Sequence, residues 1–152
     1  MRRFGAPHDE TGSAVIEFIV IGVGVLVPVV YLALAAMAVQ RAAFASTQAV
    51  REAGRAFSTA ATPELGRSRA IVAARLAFAD HGLLLPSGAL RLTCSDGPCL
   101  SPGSAVDVRL EWTVELPWVP AELVEAGSAG VPIQASGRVP IDDYRGDQER
   151  AS

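Results

Sequence analysis

Near its N-terminus this chain carries the strongly apolar stretch FIVIGVGVLVPVVYLALAAMAVQ, residues 18–40. It contains 23 residues, and none of them carries a charge. At about 1.5 Å per residue, a helix of this length extends about 34 Å, enough to cross a hydrocarbon core of about 30 Å. A buried helix of similar length in a water-soluble protein would show a polar stripe, and this stretch has none. The sequence therefore predicts a transmembrane helix, which we bound at residues 13–40.

A single carboxylate, Glu17, lies inside the first part of the apolar run, which begins at Ser13. A charged side chain costs about 2.5–3.5 kcal/mol at the centre of a bilayer and less near its surface, so it usually has a partner. If the chain were cut between Gly12 and Ser13, Glu17 would lie one helical turn from the new amine. We expect that amine, on the same or a neighbouring chain, to pair with Glu17 and set the axial register of a filament. The alternative is a lone carboxylate that reaches into headgroup water.

The pattern of Gly12, four further residues and then Glu17-Phe18 resembles the processing site of type IV prepilins. In particular, it resembles the site of the TadE-like minor pilins of tight-adherence (Flp) pilus systems. In that family four small or apolar residues separate the glycine from Glu-Phe. The short leader in front of the site, with Arg2 and Arg3, fits the same family.

A second part of the resemblance lies downstream, in the stretch QAVREAGRAF at residues 48–57. It is similar to the Ala- and Arg-rich stretch that follows the membrane helix in the family. Two positions depart from the pattern: the family would have Ala in place of Val50, and Pro28 lies further along the helix than the family's usual proline. The resemblance covers residues 10–60 well and the rest of the chain by general pattern only.

The resemblance implies a structural subunit and not an enzyme. Residues 1–12 would be a cytoplasmic leader that a prepilin peptidase removes by cutting between Gly12 and Ser13. Glu17 and Phe18 would make contacts in the membrane or the filament. The implied partners are the prepilin peptidase, other pilus subunits with their assembly platform, and the lipid bilayer, and the implied location is the cell membrane or a surface pilus.

The orientation of the membrane helix does not follow from its flanking charges, because arginines stand on both sides of it. The cysteines and a β-rich C-terminal half favour a cytoplasmic N-terminus and an external C-terminal domain. One alternative is an uncleaved single-pass anchor that carries an external binding or regulatory domain and has no need of Glu17. Another is a secreted protein cut near Ala38, although a signal peptide has an apolar core of only about 7–15 residues.

Beyond the apolar run we predict an extracytoplasmic helical region over residues 41–82. Its first part carries a rough apolar stripe formed by Ala43, Val50, Ala53 and Phe57. These residues suit either close approach of another helix or a helix that caps the chain's own domain. Thr62 and Pro63 are typical of an N-cap and a first helical position, and Gly82 is typical of a helix end. Between them we predict a second helix whose inward residues are Ala70, Ala73, Leu76 and Ala77.

After Pro86 the apolar period changes from 3.6 to 2, which is typical of strands with one wet face. Three such runs predict a small antiparallel β domain over residues 83–145, followed by a flexible tail over 146–152. The clearest strand is predicted from Val106 to Leu116, with Trp112 on its apolar face. We expect the second helix to cover that face. The predicted fold class is therefore α+β: a long N-terminal transmembrane helix, a further helix and a three-stranded antiparallel sheet.

The two cysteines, Cys94 and Cys99, enclose the turn-forming residues Ser-Asp-Gly-Pro. They predict a short-loop disulfide in an oxidising compartment, with a pair of free thiols as the alternative. Two cysteines cannot complete a structural zinc site, and His8 and His81 stand at no ligand-like spacing. We therefore predict no metal site.

Composition and motifs also argue against catalysis and nucleic-acid binding. The net charge is -3, and all 13 basic residues are Arg, so no large basic field is available for nucleic acid. No phosphate-binding loop, HExxH, G-x-S-x-G or dinucleotide fingerprint occurs. Asp142 and Asp143 are neighbours whose side chains point apart on an extended chain. We predict no enzyme activity, no catalytic residue, no cofactor and no small-molecule substrate.

Overall fold

A computed structural model describes residues 11–95, 97–116 and 130–143 of the chain. In these ranges two helices are followed by three strands: α1 at Thr11–Ser58, α2 at Pro63–Asp80, β1 at Leu90–Ser95, β2 at Ala105–Glu115 and β3 at Gly130–Pro140. The predicted α+β class is confirmed. The leader up to residue 10 and the tail beyond residue 145 lie outside the described residues.

The chain divides into two compact units, Met1–Ala36 and Met37–Ser152, and α1 contributes residues to both. In the first unit, apolar side chains from Val15 to Leu34 are largely exposed. Among the described residues one helix is long and apolar enough to cross a membrane. The strong apolar character of α1 and the exposure of its first part therefore agree with a single membrane-spanning segment.

The sheet in the second unit has the order β1-β2-β3, with both pairs antiparallel. Val108, Leu110 and Val114 on the inner face of β2 are buried, while Arg109, Glu111 and Glu115 on the other face are exposed. This alternation confirms the predicted one-sided strands. The second strand begins and ends one residue earlier than predicted, and Leu116 lies just beyond it.

The inner face of the sheet is covered by the C-terminal part of α1 as well as by α2. A Cβ atom on Gly54 would lie 2.5 Å from Cγ2 of Val139, and one on Gly137 would lie 2.8 Å from Cγ1 of Val50. The second helix was expected to cover this face, and the structure adds the C-terminal part of α1 to that cover. Of the two uses left open for the Ala-rich stripe of α1, the structure shows that it packs on the chain's own sheet.

The buried face of α1 differs at one position from the predicted stripe. Val50, Ala53 and Phe57 are buried as predicted, but Ala43 is exposed because it lies at the edge of the face. The buried positions of this part of the helix are Ala42, Ala45, Ser46, Ala49, Val50, Ala53 and Phe57. Most of them are alanines, which bring the helix axis close to the sheet.

Helix α2 begins and ends where the sequence predicted. The Thr62 side chain accepts a hydrogen bond from the Leu65 amide, and Gly82 has the left-handed φ of +65° that ends a helix. Its inward face is partly different: Ala70 and Ala77 are buried, but Leu76 is 63% exposed. The other buried residues of α2 are Gly66, Ala74 and Phe78. The face is set by packing against α1, where a Cβ on Gly66 would lie 2.9 Å from the ring of Phe57.

Candidate functional site

The N-terminal part of α1 holds the residues that the sequence predicts for processing and pairing. The helix begins at Thr11, so Gly12 and Ser13 belong to its first turn. Ser13 and Glu17 are four residues apart on one helix, which places them on the same face at a rise of about 6 Å. An amine created at Ser13 would thus lie on the same side of the helix as the Glu17 carboxylate.

Glu17 and Phe18 are both exposed, and Phe18 is 77% exposed. Glu17 makes no ion pair or hydrogen bond within the described part of the chain. Because consecutive helical residues point about 100° apart, the carboxylate and the ring lie on different faces. Both side chains are therefore available for contacts outside this chain.

The first unit has a large exposed apolar surface on both sides of Glu17 along the helix. Fourteen large apolar side chains between Val15 and Leu34 are exposed. A soluble monomer rarely exposes a continuous apolar patch of this extent, so such a surface marks a membrane or a protein partner. Gly22 and Gly24 have no atom within 4 Å of a built Cβ, in keeping with this exposure.

The two cysteines form the predicted disulfide, Cys94–Cys99, with a Cα–Cα distance of 5.3 Å. The bridge joins the end of β1 to the loop before β2, and both cysteines are partly buried against the main core. In that loop Leu100 is buried at a left-handed φ of 66°, and Ser104 accepts a hydrogen bond from the Ile141 amide. The disulfide therefore has a structural role in the second unit, where it holds this loop against the end of β1.

Sequence reasoning missed a polar network between α1, α2 and the sheet. The Trp112 indole N–H donates to Ser46 Oγ at 2.9 Å, and Ser46 donates to the Ala42 carbonyl at 2.8 Å. Nε2 of His81 lies 2.9 Å from Oε1 of Gln48, so the histidine makes a specific side-chain contact in addition to standing at the end of α2. The alternation of β2 indicated that Trp112 faces the core, but no sequence signal identified its partner on α1.

The adjacent carboxylates Asp142 and Asp143 follow the end of β3. Asp142 and Asp143 are both exposed. No group of three or more His, Cys, Asp or Glu side chains capable of holding a metal ion occurs in the residues that the structure covers. No protein-family model, curated protein or solved structure shows significant similarity to this chain.

Proposed function

We propose that this chain is a structural minor pilin of the TadE-like kind, and that a prepilin peptidase cuts it between Gly12 and Ser13. The mature subunit is anchored by the apolar part of α1, with its N-terminus toward the cytoplasm and its α+β domain outside. There it takes part in the assembly of a Tad/Flp-type surface pilus, together with other pilus subunits and their platform.

The observation that carries the proposal is the arrangement of Ser13 and Glu17 at the start of an exposed apolar helix. The two residues share one face, so an amine at Ser13 and the Glu17 carboxylate can neutralise each other within one chain or between neighbours. Pairing removes much of the cost of placing either charge in a bilayer. An ordinary anchor has no use for a carboxylate at this position.

The two-unit organisation supports the same role. A helix whose first part is strongly apolar and carries one charged residue, Glu17, suits packing among like helices in lipid. The second unit has a disulfide, which forms and persists in oxidising compartments outside the cytoplasm. Together these features fit a subunit held in the membrane while its folded domain is presented outside.

Substitutions at Gly12 and Glu17 test the proposal and separate it from an uncleaved membrane-anchored module. We expect Gly12→Arg to retain the leader, and Glu17→Leu to be cleaved but lost from sheared surface material by about tenfold or more, because the amine then lacks its partner. Ile16→Leu, at the adjacent position, keeps the carboxylate and is the matched control. If Glu17→Leu keeps the function of the wild-type protein, and if Gly12→Arg has the same chain length as the wild-type protein, the chain is instead the uncleaved membrane-anchored module.

A further inference from the structure

The outer surface of α2 carries an apolar ridge between two arginines. Val72 and Leu76 are 64% and 63% exposed, and the helical period places Arg69 on one side of them and Arg75 on the other. Within the described residues, neither arginine makes an ion pair. We name these four residues the α2 ridge. The ridge borders a groove between α2 and α1, whose lining includes Arg69 and Val72 of the ridge and Arg55 of α1.

The outer surface of the sheet carries the opposite charge pattern at one end, beyond Arg109, which is an exposed cation on the same face two residues before Glu111. Glu111 and Glu115 point outward from β2, with exposed Thr113 between them and exposed Pro132 opposite Thr113 on β3. Neither carboxylate has an ion-pair partner among the residues described. At about 3.3 Å per residue, the two carboxylate positions lie about 13 Å apart. We name these four residues the acidic sheet face.

The two surfaces are complementary in charge and in the order of their groups. The α2 ridge is apolar between cations, and the acidic sheet face is a small, partly apolar strip between anions. Arg69 and Arg75 are separated by about 9 Å along the helix axis, and their long side chains can reach carboxylates about 13 Å apart. Charge also differs between the layers more broadly. Residues 37–80 hold six arginines and three carboxylates, while the described part of residues 89–143 holds three arginines and five carboxylates.

The two surfaces lie on opposite sides of the second unit, because the helices cover the inner face of the sheet and the acidic sheet face is on the outer one. A chain therefore cannot satisfy both surfaces by itself. We infer that the α2 ridge of one copy binds the acidic sheet face of a second copy. This contact is heterologous, and repeated contacts of that kind generate rings or open filaments. The inference rests on the proposed role as a structural subunit and specifies the contact between its outer domains.

Two charge-reversed variants of the full-length chain test the contact in native membranes. The first carries Arg69→Glu with Arg75→Glu, so that both of its surfaces are acidic. The second carries Glu111→Arg with Glu115→Arg, so that both are basic. A photo-crosslinking amino acid in place of Val72 reports contact, and the crosslinked peptide is identified by mass spectrometry. Resistance of each variant to urea-dependent proteolysis at the wild-type level shows that it folds, and resistance of Cys94 and Cys99 to maleimide before reduction shows that its disulfide has formed.

For the wild-type charge pattern, we expect crosslinked dimers whose linked peptide comes from β2 or β3 of the second copy. Each variant alone should lose this product by about tenfold or more, because like charges then face each other. Co-expression of the two variants should restore it, since the acidic ridge of one matches the basic sheet face of the other. Arg67→Glu, on the same helix but with its guanidinium directed at the Leu92 carbonyl, is the control and should crosslink like wild type.

Absence of the dimer in the wild-type pattern, or failure of co-expression to restore it, would overturn the contact. Loss in the first variant alone would also overturn it and would assign the α2 ridge to another acidic partner or an anionic lipid surface. The outcomes separate this inference from the proposed function. A chain that is cut at Ser13 and reaches the pilus without this crosslink is a pilin with a different contact, whereas an uncut chain that forms it is a self-associating anchor.

Discussion

At the scale of single residues, the most consequential contact is the hydrogen bond from Trp112 to Ser46. It joins positions 66 residues apart in the chain, and Ser46 has no exposed surface. The Trp112 ring also packs against Phe78 of α2, with ring centroids 5.2 Å apart. The Trp112 side chain of β2 therefore contacts both helices, and Ser46 of α1 accepts the hydrogen bond from its indole N–H.

Replacement of Ser46 by alanine should destabilise the second unit by about 1–2 kcal/mol, because the indole N–H of Trp112 then loses its acceptor. The matched control is Thr47→Ala. Its hydroxyl donates to the Ala43 carbonyl at 2.9 Å in the same i to i−4 manner, but on the exposed side of the helix. We expect the control to change stability by no more than about 0.5 kcal/mol. Urea-dependent proteolysis of the full chain in detergent measures both, and equal effects would contradict the role given to Ser46.

At the scale of elements, the strands and the limits of α2 could be predicted, but the partner of α1 could not. Alternation with period 2 identifies a half-buried strand from local sequence alone, and Thr62, Pro63 and Gly82 carry the local geometry of helix ends. An alanine stripe is compatible with another helix or with a sheet. The contact depends on Gly54 and Gly137, which lie 83 positions apart in the sequence, and no local pattern links them.

The close approach of α1 to the sheet should make Gly54→Ala destabilising. The added methyl group would meet Cγ2 of Val139 at 2.5 Å, and overpacking of this kind costs about 1–3 kcal/mol, against a gain of about 1 kcal/mol in helix propensity. We expect a net loss of about 1 kcal/mol in the same urea-dependent proteolysis. Val139→Ala in the same chain removes the clashing methyl group. The double variant should therefore lose less stability than the sum of the two single variants.

Additive losses in the Gly54→Ala, Val139→Ala pair would show that the two residues do not meet. A second control comes from the same helix. Gly24→Ala adds a methyl group where no atom lies within 4 Å. It should leave the stability of the second unit unchanged, and a loss as large as that of Gly54→Ala would contradict the packing explanation.

At the scale of the whole molecule, the chain combines an exposed apolar helical segment with a disulfide-stapled α+β unit. The sequence predicted both parts, because a long run without charge predicts a helix able to cross a membrane and the spacing of Cys94 and Cys99 suits a short-loop disulfide. On the second unit, the alternation of β2 predicted the outward residues of the sheet, but the exposed face of α2 was not predicted, because Leu76 was expected to face inward. The way α2 packs against α1 determines which of its side chains are exposed, and a local sequence pattern does not reveal that packing.

The proposed function joins these parts through one chemical event, the cut between Gly12 and Ser13. Without that event Glu17 has no new amine to pair with, and the helix is an ordinary anchor. With it, the mature chain begins four residues before the carboxylate and on the same helical face. The residue at which the mature chain begins therefore separates the pilin proposal from both alternatives.

The most direct measurement is the N-terminal sequence of the protein purified from native membranes and from sheared surface material. The pilin proposal predicts a mature chain that begins at Ser13. A chain that begins at Met1 would contradict it and leave an uncleaved membrane-anchored module. A chain that begins near Val39 would contradict it as well and indicate a secreted protein released by a signal peptidase.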